Sequence, residues 1–247
     1  MLRALALLFA ISVPALGFAA GGSGGFIEVA NNDLGNLASL QRGARNFVNY
    51  CLGCHSAKYV RYSRLAADLG MSEDQLINNL MFTAEKPHET MAIAMPALDA
   101  AGWFGQAPPD LSLVTRSRGT DWVYSFLRSF YLDGSTPTGT NNLVLPGASM
   151  PNVLWELQGL QDAVYTGHID EQGNVTKVYE GLEQASPGKL SEEQFDKFVR
   201  DLVNFLDYVG EPVQLQRKAL GIRVLLFLAV FFLFAYLLKK EYWKSVH

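Results

Sequence analysis

The chain has 247 residues, a net charge of −4 at pH 7, and 49% hydrophobic residues. The acidic balance argues against nucleic acid as a partner, because phosphate backbones are bound by clusters of lysine and arginine. Two hydrophobic segments lie near the ends of the chain. The residues between them, 21–218, are enough for one compact domain with a hydrophobic core.

The N-terminal segment 1–20 is typical of a secretory signal peptide. It has a single early positive charge at Arg3, an apolar run after it, and small residues at Gly17 and Ala19 that suit cleavage. An uncleaved membrane anchor is the alternative interpretation. The glycine-rich sequence that follows, GGSGG, predicts a flexible lead-in over residues 21–32.

A helix is predicted next, because apolar residues recur at helical spacing. They are Leu37, Leu40, Ala44, Phe47, Val48 and Cys51. This helix leads into Cys-Leu-Gly-Cys-His at 51–55, which contains both cysteines of the chain. The pattern is typical of a c-type haem attachment site, in which the thiols of Cys51 and Cys54 add to the porphyrin vinyl groups. The imidazole of His55 then lies under the iron.

The cysteine pair has two other possible interpretations besides haem attachment. A disulfide or a thioredoxin-like redox pair would use Cys51 and Cys54 but would not need His55. A tetrahedral zinc site needs four ligands, and the sequence has neither a second cysteine pair nor a close histidine pair to complete one. Because c-type haem is attached outside the cytoplasm, covalent haem also agrees with the predicted signal peptide.

Two further helices are predicted in the middle of the chain. Ser72 and Gln75 form a capping box before a set of apolar residues. Thr120 or Asp121 begins another helix with an apolar face. That face comprises Val123, Phe126, Leu127 and Phe130.

The sixth ligand of the haem iron decides its chemistry. An open position suits ligand binding or peroxide chemistry, whereas a methionine thioether restricts the haem to electron transfer. Met91, Met95 and Met150 are the candidates, and both Met95 and Met150 precede a proline, which keeps the chain extended. Met150 is favoured because it follows a long segment, 133–149, predicted to lack regular structure. A buried gap-filling role is the alternative for any methionine, and His88 or His168 would give a bis-histidine haem.

The last part of the domain combines a hairpin with a helix. Residues 163–179 predict a short β-hairpin that turns near Gly173. The helix that follows is capped by Ser191 and Gln194 and ends at Gly210. An early helix packed on a late one is typical of a cytochrome c-like domain, so we expect a mainly α fold with a small β-hairpin insertion.

Residues 219–238 are apolar on every face apart from Arg223, and they match the ~20 residues that cross a bilayer as a helix. We therefore predict a haem domain over 33–218, a transmembrane helix over 219–238 and a cytoplasmic tail over 239–247. The predicted signal peptide sets the orientation, with the haem domain on the periplasmic side of the inner membrane.

Negative charge is concentrated late in the domain. Residues 156–211 hold 12 acidic and 4 basic side chains, a net charge of −8, whereas residues 21–155 hold 11 and 9, a net charge of −2. Such a surface would attract a basic soluble electron carrier. The alternative is that these charges only keep the domain soluble.

Four segments together resemble the cytochrome c1 family, in its proteobacterial form. They are NYCLGCHSAKYVRYSRL, GWFGQAPPDLSLVTRSRG, LPGASMPNVLWELQG and a C-terminal span ending in KKEYWK. The resemblance runs from about residue 33 to the end of the chain. It implies that Cys51 and Cys54 attach the haem, that His55 and Met150 ligate its iron, and that Met95 does not.

The resemblance also implies roles for Pro109, which begins a segment packed along the haem, and for Arg118, near a haem propionate. The implied function is electron transfer from a Rieske iron–sulfur protein to a soluble cytochrome c, within a dimeric quinol:cytochrome c oxidoreductase that also contains a cytochrome b subunit. The chain would not be an enzyme on its own. A free-standing membrane-tethered cytochrome c, an oxidase-associated monohaem subunit, and a haem enzyme or gas sensor are the alternatives.

Overall fold

The computed structural model describes residues 26–169 and 175–244. The predicted signal peptide at 1–20, the first five residues of the lead-in, the hairpin turn near Gly173 and the last three residues of the tail lie outside the described residues.

The described part of the chain is mainly α-helical, as predicted. Its helices are α1 (Leu37–Tyr50), α2 (Tyr62–Leu69), α3 (Glu73–Asn79), α4 (Ala97–Phe104), α5 (Val114–Arg118), α6 (Thr120–Arg128), α7 (Trp155–Gln158), α8 (Glu192–Gly210) and α9 (Gln214–Tyr242). Its strands are β1 (Ala57–Arg61), β2 (Thr90–Met91), β3 (Phe130–Leu132), β4 (Thr140–Asn142), β5 (Gly159–Ile169) and β6 (Val175–Pro187). They pair in sequence order as three two-stranded antiparallel sheets.

The core of the domain forms where α1 crosses α8. The crossing is close at Gly43, because a Cβ atom built there would lie 2.1 Å from the Asp201 carbonyl oxygen. One turn further on, the rings of Phe47 and Phe205 pack with their centroids 5.5 Å apart. This early and late helix pair positions the C-terminal end of α1, where the cysteine motif begins.

An ion pair between a partly exposed arginine and a buried aspartate ties the same two helices together. The Asp201 carboxylate is 5% exposed and accepts hydrogen bonds from Arg42 Nε at 2.6 Å and Nη2 at 2.9 Å. The Ser39 hydroxyl donates a third hydrogen bond to it at 2.6 Å. A buried carboxylate needs such partners, since an unpaired charge in the interior is strongly destabilising.

Residues 26–32, which the sequence analysis assigns to a flexible lead-in, are fastened to the domain instead. The Ala30 N–H donates to Asp121 Oδ1 at 2.9 Å, and the Ala30 carbonyl accepts from Arg200 Nε at 3.0 Å. The Glu28 N–H donates to Ser125 Oγ at 2.8 Å. These partners are far away in the sequence, so a local sequence pattern cannot reveal the contacts.

Both predicted capping boxes are present. Ser72 and Ser191 each accept a hydrogen bond from the backbone N–H of the glutamine three residues on, Gln75 or Gln194, and that glutamine side chain accepts one in return. The helix predicted at Thr120 or Asp121 begins at Thr120.

The segment 133–149, predicted to lack regular structure, contains strand β4. Its residues pair with β3, with Phe130 opposite Asn142, Tyr131 opposite Asn141, and Leu132 opposite Thr140. Phe130, expected on the apolar face of a helix, begins β3 and is still 2% exposed. The β-hairpin predicted at 163–179 is longer than expected, because β5 and β6 extend it to residues 159 and 187.

Helix α9 stands apart from the core. It is 29 residues long, about 43 Å at ~1.5 Å per residue, and none of its side chains is buried. Within the described residues it is the one helix long and apolar enough to cross a membrane. The predicted span, 219–238, is its apolar middle, and the helix continues into charged residues at both ends.

Candidate functional site

The two thiols, the imidazole of His55 and the thioether of Met150 line one cleft. Its volume is about 600 Å³, including the part open to solvent, and its walls are predominantly apolar. The lining residues are Tyr50, Cys51, Cys54, His55, Phe104, Gln106, Pro108, Pro109, Ser149, Met150, Pro151 and Val153. The fold therefore brings together a loop after α1 and a loop before α7 that are distant in sequence.

The cysteines follow directly from the end of α1. Cys51 occupies the C-cap position, and its carbonyl accepts hydrogen bonds from the N–H groups of Cys54 at 3.0 Å and His55 at 2.8 Å. This tight turn brings Cys51, Cys54 and His55 together in the lining of the cleft. Cys51 is buried and Cys54 is half-buried, and no disulfide joins them.

Burial sets the protonation state of the Cys51 thiol. Removal from water, with a smaller contribution from Cys54, raises the pKa of Cys51 to about 12. At neutral pH the sulfur is thus a thiol rather than a thiolate.

His55 is held in one tautomer. Its Nδ1 lies 2.7 Å from the Pro109 carbonyl oxygen, which can only accept a hydrogen bond, so Nδ1 carries the proton. Nε2 is left with a free electron pair, which is the form that ligates a metal ion. Burial lowers the pKa of His55, against the opposing effects of the Pro109 hydrogen bond and the Asp110 charge, and favours the neutral ring.

The segment that presents the Pro109 carbonyl is bound to the strand after His55. The Leu111 N–H donates to the Ser56 carbonyl at 2.8 Å. The Asp110 carboxylate accepts hydrogen bonds from two backbone N–H groups, that of Lys58 at 3.0 Å and that of Ser112 at 2.8 Å. The role of Asp110 was not predicted from the sequence. An aspartate two residues before a serine is typical of a turn held by the aspartate side chain, and this pattern could have indicated that role.

The structure separates Met150 from the other candidate sixth ligands. Met150 is half-buried, packs against the core and lines the cleft. Met95 is half-buried but does not line it, and Met91 is fully buried in the core at β2. Of the two histidines, His88 is not among the lining residues, and the His168 side chain lies outside the described part of the structure.

Arg118 lies at the exposed end of α5 and does not line the cleft. Its guanidinium carbon is 5.1 Å from the centroid of the Trp122 ring, and Trp122 stacks on Phe126 with their centroids 5.2 Å apart. The guanidinium thus lies over the face of the indole ring, and the N–H donors in the guanidinium plane can still pair with a carboxylate.

The residues present fit a covalently attached haem. Two thiols suit the porphyrin vinyl groups, while an imidazole and a thioether suit the two axial positions of iron. The apolar walls, which the sequence analysis did not foresee, suit the faces of the ring. Tyr50, Phe104, Pro108 and Val153 belong to these walls.

Comparison with known proteins agrees with this site. Residues 33–246 match the model of the Cytochrome C1 family. The chain is 52% identical to "Cytochrome c1" of Allochromatium vinosum over 92% of this chain and 93% of that protein. It is 46% identical to "Ammonia monooxygenase gamma subunit" of Nitrosomonas europaea over 90% and 89%.

A more distant relative is longer than this chain. It is "Cytochrome b/c1" of Bradyrhizobium diazoefficiens, 26% identical over 85% of this chain and 33% of that protein. The family match and the Allochromatium relative both extend over most of the present sequence. The chain therefore belongs to the cytochrome c1 family, the membrane-anchored electron-transfer subunits of the cytochrome bc1 complex that carry covalent c-type haem.

Proposed function

We propose that this chain holds its haem through Cys51, Cys54, His55 and Met150. The observation that supports the proposal is the cleft itself, which has both thiols, a correctly protonated imidazole and a thioether in its lining. The thiols of Cys51 and Cys54 would form the two covalent links. Nε2 of His55 and the sulfur of Met150 would be the axial ligands.

The protein side chains restrict this site to electron transfer. The haem, when bound, supplies a one-electron couple. Pro109 fixes the His55 ring through its carbonyl, and the apolar walls offer water few hydrogen-bond partners. With His55 and Met150 as its ligands, the iron would have no open position for a substrate. We propose that Pro109 packs along the haem and that Arg118 pairs with a propionate, which would offset the cost of a carboxylate near the apolar cleft.

The partners follow from the family. A cytochrome b subunit and a Rieske iron–sulfur protein are the partners of a cytochrome c1. The longer Bradyrhizobium relative is named "Cytochrome b/c1". We propose further that the working complex is dimeric. The apolar surface of α9, which is exposed along its length, suits packing against the membrane helices of such partners.

We propose that a soluble cytochrome c is the electron acceptor. Among the acidic residues of 156–211 that the structure describes, six are exposed and would present a negative surface to a basic carrier. They are Glu156, Asp162, Glu180, Glu183, Glu192 and Glu193. The rate of electron transfer to a basic cytochrome c should fall as ionic strength rises, and a rate independent of salt would contradict this docking role.

The haem domain is proposed to face the periplasm, with residues 239–247 in the cytoplasm. The charges flanking the apolar segment do not decide this, because basic residues lie at both ends. Protease added to intact spheroplasts should digest the haem domain. Protection of the domain in spheroplasts, with digestion only after lysis, would reverse the orientation.

Replacement of Met150 by leucine tests the axial ligand. In the detergent-extracted holoprotein we expect loss of the weak far-red absorption band of iron bound to thioether sulfur, a lower reduction potential, and rapid binding of carbon monoxide by the reduced protein. Met95→Leu is the matched control and should leave the spectrum unchanged. If Met95→Leu abolishes the band and Met150→Leu does not, the assignment is wrong.

Purification in mild detergent tests the assembly. We expect the chain to be isolated with a b-type cytochrome and an iron–sulfur protein. Recovery of the chain alone would favour a free-standing tethered cytochrome c.

A further inference from the structure

The loop that carries Met150 starts from a buried asparagine. Asn142, in β4, is fully buried, and its side-chain N–H group donates to the Phe126 carbonyl at 2.7 Å. Its side-chain oxygen accepts from the backbone N–H groups of Val144 at 2.9 Å and Leu145 at 3.0 Å, and from the Ser129 hydroxyl at 3.2 Å. One amide thus fixes the first turn of the loop to the end of α6.

The neighbouring Asn141 fixes the next part of the same loop. Its side-chain oxygen accepts from the Gly147 N–H at 2.8 Å, and its side-chain N–H group donates to Asp133 at 2.9 Å. Gly147 has φ of +76°, a conformation that glycine adopts readily, so the chain reverses here just before Met150. After Met150, the buried Asn152 accepts a hydrogen bond from the Leu154 N–H at 3.2 Å.

We propose that Asn141 and Asn142 are positioning residues for the sixth ligand, holding the loop 143–149 so that the Met150 sulfur stays in the cleft. The inference rests on the proposed function, in which Met150 ligates the iron. Neither asparagine lines the cleft, so each would act through the loop. Three of the groups they satisfy are backbone N–H groups of the loop, those of Val144, Leu145 and Gly147. Without them those groups would have to find water, and the loop would lose its single conformation.

The test compares Asn142→Ala with a matched control in the full-length holoprotein, extracted in mild detergent. Asn204 is the control, because it is also fully buried and donates two hydrogen bonds, to the Asp33 carbonyl at 2.7 Å and the Ser39 hydroxyl at 3.1 Å. It lies in the α1–α8 interface. Both variants should have lower thermal stability, so stability alone does not distinguish the two positions.

Two spectroscopic measurements distinguish them. For Asn142→Ala we expect a weakened far-red thioether–iron band and a roughly tenfold larger carbon monoxide-accessible fraction of the reduced protein, since hydrogen bonds that hold the sulfur in place are lost. For Asn204→Ala we expect the band and the carbon monoxide response of the unaltered protein. Equal behaviour of the two variants in both measurements would overturn the inference.

Two further variants make the result interpretable. If Asn142→Ala does not accumulate as holoprotein, Asn141→Ala, which removes fewer contacts, decides the question with the same two measurements. Met150→Leu separates the inference from the proposed function. If Met150→Leu removes the band but neither asparagine variant affects it, only the positioning role is refuted. If Met150→Leu leaves the band intact, the ligand assignment and the positioning role both fail.

Discussion

A methyl group at Gly43 should force apart the two helices that form the core. In Gly43→Ala the new Cβ would lie 2.1 Å from the Asp201 carbonyl oxygen and 2.6 Å from the Phe205 Cβ, far inside contact distance. The first of these atoms belongs to the backbone of α8 and cannot turn away. The helices must therefore separate, and with them the Phe47 and Phe205 rings and the ion pair at Asp201.

The expected loss of stability is the difference between two effects. Overpacking a well-packed core costs about 1–3 kcal/mol, and the contact with backbone places Gly43→Ala near the upper end. Replacing glycine by alanine within a helix contributes about 0.5–1 kcal/mol in the opposite direction. The net expectation is a loss of about 2 kcal/mol, which lowers the melting temperature by roughly 4–8 °C for a domain of this size.

Gly102 provides the matched control, because it is also a helical glycine but a Cβ there would meet nothing within 4 Å. Gly102→Ala should therefore stabilise the protein by about 0.5–1 kcal/mol. The two variants are compared by thermal unfolding, followed by circular dichroism. Both are measured as detergent-extracted holoprotein with the same haem content. A melting temperature for Gly43→Ala equal to or above that of the unaltered protein would refute the close helix crossing.

Three further predictions concern groups around the cleft and core. Asp110→Ala removes the acceptor of two backbone N–H groups, which should destabilise the segment that contains Pro109 by about 1–2 kcal/mol. It should also raise the reduction potential of the haem, because a negative charge is lost. An unchanged potential in a redox titration would contradict this expectation. Arg118→Gln should lower the reduction potential of the haem if the Arg118 guanidinium pairs with a propionate. Arg116→Gln is the control and should leave the potential unchanged, because Arg116 pairs with Glu211 instead. Burial raises the pKa of Tyr208 from its ordinary value of 10, so the folded state binds a proton more tightly than the unfolded state. Its contribution to stability is therefore complete below pH 10 and is lost as pH rises above it, and alkaline unfolding should be less steep in Tyr208→Phe.

Features that depend on residues close together in the chain could be predicted from the sequence. The two capping boxes depend on residues three positions apart, and the cysteine motif depends on five consecutive residues, so neither needs the rest of the fold. The apolar segment 219–238 is equally local, since a single helix can satisfy all of its own backbone groups in a bilayer.

Elements that depend on distant partners were less well predicted. Residues 26–32 were assigned to a flexible lead-in because they follow the glycine-rich sequence GGSGG, yet Asp121, Ser125 and Arg200 hold them in place. Strand β4 was missed because Asn141 and Asn142 are poor strand formers, and its pairing with β3 overrides that preference.

The sequence by itself determined the chemistry of this protein: a thiol pair with an adjacent imidazole for one haem, and an apolar segment for the membrane. The sequence already favoured Met150 over Met91 and Met95, but only the tertiary structure placed Met150 in the cleft. It also fixed the protonated nitrogen of His55 through the Pro109 carbonyl and joined the Met150 loop to Asn141 and Asn142. The physical reason is that donors and acceptors of this kind come from segments far apart in the chain, and their meeting depends on how the helices pack.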